Sequence, residues 1–233
     1  MVNKPPINIA LPPRHVSQTV TQWVYAVLRS AVMAGQIPPG RLLTIRELAS
    51  VLQVSAMPVR EALRQLAAEN ALEIQESRRV RVPPMTAMKF TELFEARIAL
   101  ESHTAARALP YISQATVSEI RALDLLIRQA KAAQQHENLR KFNRQFHQTI
   151  YLANPHQVTM PLIESIWLQL GPFMRIAHQS QHDQHFVDRH NEIIIAIENR
   201  DAFALQVAIA ADIREGFAFA TNPERLQKII HNE

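Results

Sequence analysis

"LTIRELASVLQVSAMPVREALRQLAAENALEIQESRRVRV" (Leu43–Val82) changes period twice within one stretch. "LTIRELASVL" and "AMPVREALRQLAAENA" both carry apolar residues at helical spacing, and only Gln53-Val54-Ser55 separates them. Thr44 stands as an N-cap with Glu47 three residues on, the capping-box spacing. Ser55 can cap the second helix, and Pro58 falls in its first turn, where a missing N–H costs nothing. "LEIQESRRVRV" then reads as two short strands with cationic residues between them. A turn this short forces a sharp crossing of the two helices.

Working outward, "SQTVTQWVYAVLRSAVMA" (17–34) repeats apolar residues at Val20, Val24, Val27, Leu28 and Val32, and "GQIPPG" stops this helix. Helix, helix, short turn, helix and basic hairpin is the order of a winged helix-turn-helix. Such a domain lays its second motif helix in a major groove and its hairpin along the flanking backbone. The alternative is a small helical domain that happens to end in a basic hairpin. Charge favours the first reading. Residues 1–85 hold ten Lys/Arg against five Asp/Glu, whereas 86–233 hold fifteen against sixteen, so the net charge of +4 originates in the first third.

Pro83-Pro84 ends the hairpin and forms a stiff linker. Beyond it nearly everything has helical period. Helices are expected at about 87–109, 113–135, 137–153, 157–177, 184–199 and 202–220, followed by a short tail helix. The expected fold class is therefore mainly α: an N-terminal winged helix-turn-helix plus a C-terminal all-α antiparallel helical bundle. The expected divisions are a flexible tail over 1–16, a DNA-binding winged domain over 17–83, and an all-helical domain over 84–233, to which the family resemblance given below adds effector binding and dimerisation.

Composition excludes several classes of chemistry. The chain has no cysteine, hence no disulfide, thiolate metal site or Cys nucleophile. With four glycines it has no P-loop, GxGxxG fingerprint or GxSxG elbow. No apolar leader or membrane-length run is present, so a cytoplasmic protein is expected.

In "KFNRQFHQTI" (141–150), Asn143 and His147 are four apart on one helix face, next to a stripe of Phe142, Phe146 and Ile150. Taken alone the pair is a metal site, a small-molecule site or a structural hydrogen bond. His190 precedes a buried run, Ile193, Ile194 and Ala196, and Asp212 lies among alanines, where an unpartnered carboxylate is costly. The cluster His178, His182, Asp183 and His185 also has ligand-type side chains, but its Gln/Ser-rich setting reads as a solvated loop.

Leu43–Val82, above all "PVREALRQL", resembles the DNA-binding domain of the GntR transcription regulators. "FTELFEARIALESHTAARAL", "FNRQFHQTIY" and "RHNEIIIAIENRDAFALQVAIAADI" resemble, in that order, helices of the FCD effector domain found in the FadR-like branch. The resemblance implies a homodimeric repressor bound to a palindromic operator and modulated by a small carboxylate or sugar-acid effector. It implies DNA contacts from Arg46, Ser55, Met57 and Arg60, with Arg78 and Arg79 in the hairpin. Arginine's planar fork suits phosphate or guanine, which agrees with that placement. Three departures put the operator sequence in doubt: Ala56 where relatives have Arg, Met57 where Thr or Ser is common, and a hairpin without its Gly. Gln53 also replaces a turn glycine, at a cost of about 1 kcal/mol if φ is positive there.

The same resemblance implies a metal held by an Asp and three His. These fall here on Asn143, His147, His190 and Asp212, so the carboxylate has moved from the first position to the last. Two imidazoles and a carboxylate suit zinc, nickel, manganese or iron. Arg97, with Glu101 four residues on, is placed to meet an effector carboxylate, and Arg144 and Arg175 are further candidates; an i,i+4 salt bridge is the plainer role for the first two. The rival classes are a metal-dependent enzyme using His147, His190 and Asp212 to activate water, and an effector-independent DNA-binding protein.

Overall fold

The structure is a computed structural model that describes residues 9–75, 79–179, 189–217 and 223–231. Helices make up most of it, with one small sheet, and the chain forms two compact units. The first comprises Met1–Phe90, Ser165–His182 and Gln227–Glu233, and the second Thr91–Glu164 and Asp183–Leu226.

In the first unit, α1 (Val20–Met33) starts at a reciprocal capping box between Thr19 and Gln22 and buries Val24, Val27, Leu28, Ala31 and Val32. It packs on α3 (Ala56–Ala68), which also packs on α2 (Ile45–Leu52). Thr44 caps α2 by accepting from the Glu47 N–H at 3.1 Å. The Glu47 side chain does not return the bond as the spacing suggested; it pairs with Arg41 at 3.1 Å. Gln53 ends α2 with φ 54°, the left-handed conformation anticipated for a turn position usually given to glycine. Ser55 occupies the N-cap of α3 but makes no side-chain capping bond.

The hairpin strands are β2 (Glu73–Ile74) and β3 (Arg79–Arg81). A third strand, β1 (Leu43–Thr44), pairs antiparallel with β3 and gives the order β1-β3-β2. Val80 stands opposite both Leu43 and Ile74, which buries it at the centre of this wing. Residues 9–16 have no regular structure, yet Ile9 is buried and Trp23 Nε1 donates to the Pro12 carbonyl at 3.0 Å.

The second unit contains most of α4 (Ala87–Ala108), then α5 (Gln114–Ala132), α6 (His136–Tyr151), α8 (His190–Glu198) and α9 (Ala202–Gly216). A 3-10 turn, Leu109–Tyr111, follows α4 at the expected break, and Ser113 caps α5. Within this unit α5 packs on α6 and α8, and α8 on α9. The helix α7 (Met160–Gln179) begins in the second unit and continues into the first, as does α10 (Pro223–His231). Residues 184–188 and 218–220, expected to be helical, lie outside the described residues.

Candidate metal site and nucleic-acid face

On α6 the apolar stripe buries Phe146 and Ile150, and the helical period carries His147 inward with them. On α8, His190 is the first helical residue and is fully buried, with the Phe146 ring stacked on its imidazole at a centroid distance of 4.2 Å. On α9, Asp212 is 5% exposed between the buried Ile209 and Ile213.

These three residues converge. The ligand atoms that His147, His190 and Asp212 offer all lie within 4.8 Å of one another. Asp212 Oδ2 is 3.1 Å from His147 Nε2, and Asp212 Oδ1 is 3.8 Å from His190 Nε2. Asn143 joins them, its Oδ1 3.0 Å from the same His190 nitrogen. Two ligands of one zinc-type ion, each bonded at about 2.1 Å, stand at most about 4.2 Å apart. The group is therefore close to the span of a single ion, and its nitrogen and oxygen donors are chemically suited to one.

Asp212 accepts the Arg189 main-chain N–H at 3.1 Å. Burial alone would raise its carboxyl. The His147 hydrogen bond and the two neighbouring imidazoles outweigh burial, and the group is drawn down to about 2. No Lys or Arg side chain bonds to it among the described residues, so imidazoles and one peptide N–H are what keep it ionised.

Two groups that the sequence reading did not single out approach the imidazoles from behind. His147 Nδ1 is 3.1 Å from the Tyr151 hydroxyl, which donates to Glu101 Oε2 at 2.8 Å. Burial first, and then the Glu101 charge, push the Tyr151 phenol well above its ordinary range, so it remains a neutral donor. His190 Nδ1 is 3.1 Å from Asp124 Oδ1 on α5. Spacing offered a signal for both: Tyr151 follows His147 by four, and Asp124 lies in the stripe of Val117, Ile120 and Ile127.

Arg97 does meet Glu101, at 2.5 Å, with Glu101 fully buried and the Arg97 guanidinium 5.2 Å from the Phe217 ring centroid. The pair is thus both the i,i+4 salt bridge and, through Tyr151, a neighbour of His147. Arg144 is half-buried on α6 beside Asn143. The Arg175 side chain, the whole of Arg78, and His178, His182, Asp183 and His185 lie outside the described side chains.

The basic residues anticipated for DNA share the first unit. Arg46 on α2, Ser55, Met57 and Arg60 at the start of α3, and Arg79 on β3 are all exposed. Met57 is 64% exposed, a large apolar side chain with no role in the core. Arg60 and Arg64 border a cleft of about 350 Å³ whose floor is Ile45, Leu63, Ile74 and Val80, between α3 and the wing. Arg64, absent from the expected set, is tied to Glu61 at 3.1 Å.

The comparisons with known proteins fall on these same segments. The family model "Bacterial regulatory proteins, gntR family" matches residues 20–82, and the FCD domain model matches 92–215. The HTH-type transcriptional regulator McbR of Escherichia coli (strain K12) is 24% identical over 88% of this chain and 93% of its own length. The gluconate operon transcriptional repressor of Bacillus subtilis (strain 168) is 28% identical over 75% of this chain and 74% of its own. The solved structure of Escherichia coli McbR/YncC shares the fold, with a TM-score of 0.83 at 23% identity over 89% of this chain and 99% of that one. The family models and the relatives' names alike indicate a transcriptional regulator and not the metal-dependent enzyme weighed from the sequence. No described helix is long and apolar enough to cross a membrane. The chain belongs to the GntR family of bacterial regulatory proteins, in the group that carries an FCD domain, and is a DNA-binding transcriptional regulator.

Proposed function

We propose that the chain is a homodimeric cytoplasmic repressor whose affinity for a palindromic operator is set by a small organic acid bound beside a metal in its helical domain. The observation that carries this reading is the convergence of His147 Nε2, His190 Nε2 and Asp212 in a buried position between helices. Asn143, His147, His190 and Asp212 would hold the ion; bound there, it would supply a Lewis-acid face for an effector carboxylate or hydroxyl. One relative is named for the gluconate operon, and gluconate is a hydroxy-carboxylate with both groups. Arg97, Arg144 and Arg175 are the cations assigned to the effector's charge. Arg97 is already engaged by Glu101, so it serves there only by sharing that partner.

On the DNA, Arg46, Arg60, Arg78 and Arg79 take phosphates or guanine edges, Ser55 offers its uncapped hydroxyl, and Met57 offers apolar contact to a thymine methyl. Two copies related by a two-fold axis read two half-sites, and the effector alters their spacing through Pro83-Pro84. The test is to select genomic fragments with the purified chain and measure their affinity with and without hydroxy-carboxylic acids. A palindromic fragment bound far more tightly than random DNA, and released by one of these acids, is the expected result. Affinity that follows salt but not sequence would overturn the proposal.

A further inference from the structure

The ligand nitrogen of His190 is set by what holds the other side of its ring. Nε2 faces Asn143 and Asp212, and Nδ1 faces Asp124 Oδ1 at 3.1 Å. Asp124 comes from α5, a helix that supplies none of the four residues around the site. It occupies a core position of that helix, in line with the buried Val117, Ile120 and Ile127, where an apolar side chain would be the ordinary occupant. Its other oxygen accepts from Arg128 Nε at 2.9 Å, one helical turn on. A buried carboxylate is costly and persists only with partners of this kind. Asp124 thus faces His190 with one oxygen and Arg128 with the other.

The second imidazole is backed differently. His147 Nδ1 meets the neutral Tyr151 hydroxyl. The two histidines are therefore unequal donors, and the carboxylate-backed one is also the one beside the neutral amide of Asn143.

We propose that Asp124 is a positioning residue of the metal site. Resting on the metal reading above, it accepts the Nδ1 proton of His190, locks the ring with the Nε2 lone pair toward the ion, and strengthens that nitrogen as a donor. Arg128 orients Asp124 in turn.

The experiment is a Co²⁺ titration of the full-length chain, stripped with a chelator, against a competing chromophoric chelator. Wild type, D124N, D124L and the packing control I120V are compared, with folding checked by circular dichroism and thermal melting. D124L is expected to weaken Co²⁺ binding about 10–100-fold, the usual cost of losing such a partner, and D124N to weaken it less. Both should shift the Co²⁺ visible spectrum and the His190 ¹⁵N tautomer pattern, while I120V lowers the melting temperature and moves neither. D124N and D124L that bind Co²⁺ as wild type does, with an unchanged spectrum, would overturn the inference and leave the metal site standing. A folded wild type that binds no Co²⁺ would overturn both.

Discussion

At the scale of single residues, Asp212 decides how its neighbours are used. It is buried on α9, and Asp212→Ala would leave the His147 Nε2 and the Arg189 N–H without their acceptor. Even in the presence of a chelator this variant is expected to lose about 1–3 kcal/mol, read as a lower urea midpoint; an unchanged midpoint would show that water satisfies the cluster. Gln53 is strained in the opposite sense, since its φ of 54° suits glycine. Gln53→Gly should raise stability by up to about 1 kcal/mol in the same assay. Tyr25 carries a pH signature. Burial first, then the Glu69 carboxylate that accepts its hydroxyl, raise the phenol to about 12. Its contribution is complete below the unfolded value near 10 and is lost as pH rises toward 12, because only the unfolded chain releases the proton in that window. Tyr25→Phe should flatten the stability profile there, and an equally steep profile would assign the loss to other groups. Gln53 was legible because its effect is local to one turn. Asp124 was harder to see, since a polar residue in a helix reads as solvent-facing until its phase against Val117, Ile120 and Ile127 is counted.

At the scale of elements, the helices were legible where one face is apolar over several turns, and their caps at Thr19, Thr44 and Ser113 follow ordinary capping chemistry. The strand β1 was not legible. Two residues cannot display a period of two, and Leu43-Thr44 becomes a strand only because Val80 and Arg79 lie opposite. The approach of α7 to α1 was equally hidden. A Cβ on Gly171 would come within 2.4 Å of the Met33 carbonyl oxygen and 2.9 Å of two more Met33 backbone atoms. Backbone cannot yield as a flexible side chain can, so Gly171→Ala should destabilise the first unit by about 1–3 kcal/mol. Differential scanning calorimetry would show it, and a melting temperature equal to wild type would mean that the two helices separate at little cost.

At the scale of the whole molecule, sequence similarity identifies the class, and the second unit brings His147, His190 and Asp212 together in its interior. The order of helices, the basic first third and the wing were readable together because local pattern and global fold agree there. The ligand set was readable only in part. His147 and His190 fall where the resemblance implies histidines, whereas Asn143 stands at the implied Asp and Asp212 at the last implied His, and spacing alone could not say whether these groups still meet. In the structure they do, around His190 Nε2. The central claim is that this meeting is a metal site, and elemental analysis tests it most directly. Untagged protein and His147→Ala are dialysed side by side and their metal content measured. About one equivalent of a transition metal per wild-type chain, absent from the folded variant, is the expected result; no metal in a folded wild-type chain would contradict the claim and leave His147, His190 and Asp212 as a hydrogen-bonded core.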